Sequence, residues 1–325
     1  MSDREAWRPG AGIATLRRRA ALLAGIRAFF AARGVLEVET PVLSRHASTE
    51  PHLASFRAAG AAGAGGQRFL HTSPELFMKR LLAAGSGPIY QLARVFRAGE
   101  VGRWHNPEYT LLEWYRPGLD EHALMDEVEA LLRRLVPALA PAGRLSYRDA
   151  FARHAGFDPM RADVATCRRA AARLQLPPLT GPAHDRDLWL DLIVSHVVGP
   201  ALGRDGPCFI HDYPASQASL ARLRTDAAGT VVAARFELYW QGIELANGFH
   251  ELTDLQEQRR RMLAENADRQ VRGLPVMPID PHFLAALAHG LPACAGVALG
   301  VDRLLLCLEG AESLDAVMAF ADGRV

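Results

Sequence analysis

Residues 13 to 33 set Leu16, Ala20, Leu23, Ile26 and Phe30 at helical spacing with arginines between them, and Gly34 follows as a helix stop. The stretch "VLEVE" alternates apolar and charged positions, which predicts a short strand ended by Pro41. Residues 57 to 66 are mostly alanine and glycine and predict a loose hairpin tip at the surface. "TSPELFMKRLLAAG" predicts a capped helix, with Ser73 as N-cap, Pro74 in the first helical position and Gly85 as the stop. Strands are predicted over 89 to 97 and 109 to 116, joined by a turn, and an amphipathic helix over 120 to 136.

From about 141 to 205 the pattern is helical, rich in alanine and arginine, and carries no chemical motif, so it reads as a helical insertion. Strand signals return at "CFIHDY" and "ARFELYWQGIEL", and a charged helix is predicted near 254 to 270. "CAGVALGVDRLLLCLEG" reads as a glycine-containing strand, then Asp302-Arg303, then an apolar helix ended by Gly310. With no repeat and no long linker, residues 1–325 are expected to form a single domain. The strands are not interleaved with regular crossover helices, which predicts an α+β fold: a mainly antiparallel sheet flanked by helices.

Composition narrows the classes. A 325-residue chain that is 49% hydrophobic has ample material for a core. Its 37 basic and 36 acidic side chains leave a net charge of +1, which lacks the basic excess of a phosphate-driven nucleic-acid binder. Its four cysteines, Cys167, Cys208, Cys294 and Cys307, form no CxxC pair. No apolar run reaches the roughly 18 residues needed to cross a bilayer, and "MSDREAWRPG" has no signal-peptide core, so a cytoplasmic protein is expected.

Charges concentrate where a plain hairpin needs none. In "VFRAGEVGRWHNPEYTLLEWY" the strand period aligns Tyr109, Leu111, Glu113 and Tyr115 on one face. An acid among aromatics wants a cationic partner, which is either a ligand ammonium or an internal arginine. Arg97 can fork onto a phosphate or a carboxylate, or be a solvated hairpin-end arginine. "GIELANGFHELTD" holds Glu244 and Glu251 seven residues apart. A turn at Asn247-Gly248 would bring the two acids together as a Mg²⁺ site, the alternative being two surface acids beside a turn. His71, His105, His211 and His250 show no zinc-ligand spacing and read as structural or loop histidines. "GVALGVDR" matches neither the dinucleotide nor the P-loop pattern, but Gly296 and Gly300 allow close approach to a flat ligand. Arg303 falls at a helix N-terminus, where phosphate charge is welcome.

Taken together, these stretches resemble the class II aminoacyl-tRNA synthetase catalytic domain. "GVLEVETPVLS" resembles its motif 1, "VFRAGEVGRWHNPEYTLLEWY" its motif 2 and "GVALGVDRLLL" its motif 3, in the family's order. "HNPE", "EWY" and "IELANGF" point to the lysyl branch, over about residues 13 to 320. Motif 1 begins within forty residues of Met1, so no anticodon-binding domain is expected. The chain is thus similar to the stand-alone lysyl-synthetase paralogues that modify elongation factor P.

That resemblance implies an ATP-dependent ligase that activates (R)-β-lysine, or lysine, as an adenylate and passes it to a lysine ε-amino group of elongation factor P. It implies ATP as co-substrate, Mg²⁺ as cofactor, and a homodimer by analogy with motif 1. Arg97 is implied to hold the α-phosphate and Arg303 the γ-phosphate. Tyr109 would stack on adenine, Glu100 and Asn106 would belong to the nucleotide loop, and Glu244, Leu245 and Gly300 would line the ATP site. Glu244 and Glu251 would bind Mg²⁺, with Glu251 also near the amino-acid substrate. Ser73, Pro74 and Glu75 would contact that substrate, Glu75 at its reacting-end amine, while Glu113 and Tyr115 would hold the ε-ammonium.

Three departures from the lysyl synthetases stand out. Their Arg-Asn-Glu in motif 2 is replaced by Arg97-Ala98-Gly99-Glu100, which moves the adenine-side acid to Glu100. Their usual phenylalanine is Tyr109. Ser73 and Ala298 stand where they carry alanine and glycine, which reshapes the amino end of the pocket by about 1–3 kcal/mol of discrimination. Two other functions fit the same motifs: a minimal enzyme charging tRNA, and an inactive synthetase-like binding module.

Overall fold

The computed structural model describes residues 7–59 and 66–325. Helix α1 (Ile13–Ala31) buries Leu22, Ile26, Phe29 and Phe30. Ala20 is exposed, so the buried stripe is turned from the one the spacing suggests, toward the two adjacent phenylalanines with their larger apolar area. Gly34 takes φ 65°, and the Val35 N–H reaches back to the Phe30 carbonyl at 3.1 Å, a left-handed helix stop.

The described residues fall into two compact units, one running to Gly118 and resuming at Leu252, the other Leu119–Glu251. In the first, the "VLEVE" strand is only β1 (Leu36–Glu37). β2 (Leu43–Ser44), β3 (Arg57–Ala58) and β4 (Arg68–Leu70) form a small antiparallel sheet in the order β2-β4-β3. Residues 60–65 of the expected hairpin tip lie outside the described residues. Helix α2 (Glu75–Ala83) starts one residue after Pro74, yet the Ser73 hydroxyl still accepts the Glu75 N–H at 3.0 Å. β5 (Ile89–Phe96) pairs in parallel with β1 and antiparallel with β6 (Glu108–Pro117).

The second unit holds α3 (Glu121–Leu135), β7 (Gly143–Ser146), α4 (Tyr147–His154), α5 (Val164–Arg173), α6 (Arg186–Ile193), a π-helical turn over Val194–Val198 and α7 (Gly199–Ala201). It then forms β8 (Cys208–Pro214), β9 (Leu223–Thr225), β10 (Val231–Trp240) and β11 (Ile243–His250). Its strands run in the order β11-β10-β8-β7, with β9 on β10. The stretch expected to be wholly helical therefore opens with a strand, β7, paired in parallel with β8. "GRLS" is too short and too polar to signal it. The core here gathers Tyr147, Phe151, Ile193, Ile210, Tyr213 and Tyr239.

Back in the first unit come α8 (Leu255–Val271), α9 (Pro281–Gly290), β12 (Cys294–Gly300) and α10 (Val301–Glu309), stopped by Gly310 at φ 59°. β12 pairs antiparallel with β6. Phe30 of α1 stacks on Tyr90 at 4.4 Å and meets Trp114 edge-on at 5.3 Å, fixing one face of β5 and β6. Met78 and Leu82 of α2 pack with Ile89, Tyr115, Met262 and Phe283 on the other. The result is α+β, with mostly antiparallel strands flanked by helices. Among the described residues no helix is long and apolar enough to cross a membrane.

The expected Asn247-Gly248 turn does not form; both residues lie inside β11. The chain reverses at Gln241-Gly242, whose φ values of 55° and 78° suit a two-residue hairpin. Gly248 serves close packing instead, since a Cβ there would stand 2.3 Å from Phe236 Cζ. Gly248→Ala is expected to destabilise the protein by about 1–3 kcal/mol, the usual cost of overpacking. Urea unfolding of variant and wild type checks it; equal midpoints would show that Phe236 gives way without cost.

Candidate active site

The first unit carries four of the implied residues, Tyr109, Glu113, Tyr115 and Ala298, on one sheet face. The register sets Glu113 of β6 between Gln91 of β5 and Ala298 of β12, with Gly296 beside Tyr115 and Gly300 beside Leu111. Cross-strand partners share a face, so Tyr109, Leu111, Glu113, Tyr115 and Ala298 line one surface. Ala93, Val95 and Leu111 make it apolar, with Tyr109 and Ala298 packed against them.

In that setting Glu113 is buried, and its two oxygens are claimed by hydroxyls. Tyr115 donates to Oε1 at 2.7 Å and Ser73 to Oε2 at 2.7 Å. Beside it, Lys79 Nζ donates to Glu75 Oε1 at 2.6 Å, one turn along α2. Burial, reinforced by the charge of Glu75, pushes the Glu113 carboxyl up to about 7 against the opposing pull of Tyr115, Ser73 and Lys79. A buried acid already wrapped by donors, with its charge poised at neutrality, is suited to receive a cation.

The turn after β5 answers why Ala98-Gly99 precede Glu100. Gly99 takes φ 82°, a left-handed position that favours glycine. The turn swings Glu100 back onto its own Arg97, Oε1 to Nη1 at 3.5 Å. The Arg97 guanidinium also lies 5.3 Å from the Tyr109 ring centroid. Arg303 Nε donates to the Trp104 carbonyl at 3.1 Å. Between these cations His105 is held below its usual pKa by burial, with Arg303 and Arg97 acting in the same direction and Glu100 against them. Two guanidiniums around a neutral histidine make an anion-receptive corner. Asn106 is occupied within the protein: Nδ2 donates to the Glu108 carbonyl at 2.6 Å and Oδ1 accepts the Asp322 N–H at 2.8 Å.

Asp302 carries a role the sequence did not reveal. Its Oδ2 accepts the Thr110 N–H at 2.6 Å and its Oδ1 accepts from Arg19 Nη1 at 2.5 Å, while Arg19 Nη2 reaches Thr110 Oγ1 at 2.8 Å. One carboxylate thus ties α1, β6 and the first turn of α10, and so positions Arg303 beside it. Arg19 is 283 residues away in the chain, a distance no local motif spans.

The second unit holds Glu244, Leu245 and Glu251. In a regular strand, residues seven apart face opposite ways. Here Leu238 opposes Ala246 while Tyr239 opposes Glu244, so Leu245 is a bulge residue. Glu244 opposes Tyr239, Asn247 opposes Glu237 and Phe249 opposes Arg235, which puts Glu244, Asn247 and Phe249 on one face. Continuing the alternation brings Glu251, buried and bridged to Ala221, to that same face. Both acids offer the hard oxygen ligands Mg²⁺ takes.

Among the described residues, Glu121, His122 and Asp212 lie close enough to suggest a metal site. Arg224 fills it: Nε donates to Glu121 Oε1 at 2.7 Å and Nη2 to Asp212 Oδ1. His250 Nδ1 adds a contact to Glu121 Oε2 at 3.0 Å. Burial alone would raise the Glu121 carboxyl, but the His250 and Arg224 hydrogen bonds hold it down at about 2. His71 is likewise structural, its Nε2 at 2.7 Å from the Arg94 carbonyl.

Comparison with known proteins places the chain in a family. Residues 8–324 match the family described as tRNA synthetases class II (D, K and N). A protein of Yersinia enterocolitica named elongation factor P–(R)-β-lysine ligase is 54% identical over the full length of both chains. Proteins of the same name from Salmonella paratyphi B and Salmonella schwarzengrund are 52% identical, again end to end. The family match over nearly the whole chain, with relatives more than half identical from end to end, establishes that the chain belongs to the class II (D, K and N) tRNA synthetase family.

Proposed function

We propose that this protein uses ATP to activate (R)-β-lysine and transfers the β-lysyl group to a lysine ε-amine of elongation factor P, in the cytoplasm. The end-to-end match to ligases of that name carries the reading, and the buried Glu113 cluster supplies its chemistry. In the first step the substrate carboxylate attacks the α-phosphorus of ATP, pyrophosphate leaves, and an acyl adenylate forms. In the second, the ε-amine attacks the acyl carbon, AMP leaves with the C–O bonding pair, and the amine gives up a proton.

Glu113 and Tyr115 hold the ε-ammonium of the substrate, with Ser73 orienting Glu113. Ser73, Pro74, Glu75 and Ala298 shape the end where the substrate's second amine sits beside its reacting carboxylate, and there the Ala298 methyl favours a β-amino acid. Arg97 neutralises charge on the α-phosphate and Arg303 on the γ-phosphate, donors set in advance where charge develops. Tyr109 stacks on adenine, Glu100 orients Arg97, Asn106 braces the nucleotide loop, and Leu245 and Gly300 line the nucleotide's path. Glu244 and Glu251 would hold Mg²⁺ through their carboxylate oxygens. When bound, Mg²⁺ supplies charge neutralisation of the phosphates.

Both compact units serve as one catalytic domain in this reading, residues 141–205 being its helical insertion. The exposed Leu36 and Leu43, at 55% and 48% exposure near the motif 1 proline, suit a homodimer contact.

Two measurements test the reading. Wild-type protein should support pyrophosphate exchange with (R)-β-lysine and then acylate elongation factor P. Arg303→Ala should lower exchange at least 10²-fold, by the usual cost of losing a donor to developing charge. Acylation of tRNA but not of the factor would overturn it. Because a protonated Glu113 cannot hold an ammonium, kcat/KM for the amino acid should rise with pH up to about 7 and then level off. Below that point it should fall by up to about tenfold per pH unit. A profile flat from pH 5.5 to 8 would remove Glu113 from recognition.

A further inference from the structure

Lys79 is the single lysine of the chain; every other basic residue among its 37 is arginine. Arginine serves the phosphate-facing positions, the helix surfaces and the ion pairs of both units. At position 79 the side chain is fully buried, at 0% side-chain exposure, and meets Glu75 Oε1 at 2.6 Å. A compact ammonium can sit in a closed space beside a carboxylate, where a planar guanidinium needs a wider fork of partners. A buried lysine is costly unless its charge has work to do.

The surroundings show what that work is. α2 brings Glu75 and Lys79 to Glu113, β6 brings Tyr115, β5 the uncharged Gln91, and β12 Ala298. From α8, Glu265 adds a further acid; burial pushes its carboxyl up to about 7, with the charges of Glu50 and Glu75 adding to the rise and the Thr49 bond and the Arg261 charge opposing it. The Glu75 charge thus raises both Glu113 and Glu265. Lys79 opposes that rise at Glu113, and a protonated carboxyl binds no ammonium.

We propose that Lys79 is a positioning residue for amine recognition: it fixes the Glu75 carboxylate and keeps Glu113 negatively charged for the ammonium of the substrate. This deepens the proposed function and rests on it. Lys79 touches neither the reacting carboxylate nor the phosphates, so its loss should act on substrate affinity and its pH dependence rather than on turnover. The opposing pulls on Glu113 agree: Glu75 raises its pKa and Lys79 lowers it.

The lone lysine makes a direct test available. Protein grown with lysine labelled with ¹³C at the ε-carbon should give one resonance. That resonance should step through a midpoint near pH 7 and move on adding (R)-β-lysine or lysine, and the step should vanish in Glu113→Gln. A resonance unmoved by pH 6–8 and by either amine overturns the proposal, whether or not the exchange assay succeeds. In pyrophosphate exchange, Lys79→Met should raise KM for (R)-β-lysine at least tenfold at pH 7. The rise should shrink by pH 9, and kcat should change less than threefold. Adding Glu75→Gln to Lys79→Met should move the acid limb of kcat/KM back toward the wild-type position. A Lys79→Met limb that stays in place, with unchanged thermal unfolding, sinks the role of Lys79 alone. Absence of exchange in the wild type sinks the proposed activity instead.

Discussion

A carboxylate buried in an apolar sheet face is the constraint around which the first unit is arranged. Left alone, the Glu113 charge would cost several kcal/mol, far more than one surface ion pair returns. The protein meets that cost with neutral donors and one nearby cation. Tyr115 shares the strand with Glu113, so alternation alone delivers its hydroxyl. Ser73 does two things at once, accepting the first N–H of α2 and donating to Glu113. The start of the helix and the orientation of the acid therefore cannot move independently. Lys79 follows one turn later, held by Glu75.

Backbone irregularity sets the rest of the site. Gly99 bends the turn after β5 so that Glu100 folds back on Arg97, and an acid two residues beyond Ala98 becomes the partner of that guanidinium. The bulge at Leu245 turns a seven-residue spacing, which alternation would put on two faces, into one face shared by Glu244 and Glu251. Gly248 keeps that strand against Phe236. In each case one residue of altered geometry redirects charged side chains that the strand period alone would send elsewhere.

Polar ties of long sequence separation fix the elements that carry these groups. Asp302 gathers Arg19 and the Thr110 backbone, and the adjacent Arg303 starts α10 from a held position. In the second unit Arg224 spans Glu121 and Asp212, and Glu121 reaches His250 next to Glu251. Arrangements of this kind couple the site to the framework, because removing one partner leaves a buried charge without compensation.

The amphipathic period of α1 and α3, the alternation of β5 and β6 and the glycine stops at 34, 85 and 310 were all legible along the chain, since they depend on neighbours within a few residues. So were the motifs that assign the family. The two-residue β1, the polar β7 and the rotation of the α1 stripe were not. Nor were the true turn at Gln241-Gly242 and the role of Gly248, because Asn-Gly is a strong local turn signal that Phe236, arriving from the paired strand, overrides. Asp302 with Arg19, Arg224 with Glu121, and Lys79 beside Glu113 lay equally out of reach. Local chemistry determined which residue types this protein would use. The tertiary structure decided which of them meet, because the cost of a buried charge depends on partners that the chain delivers from far along its length.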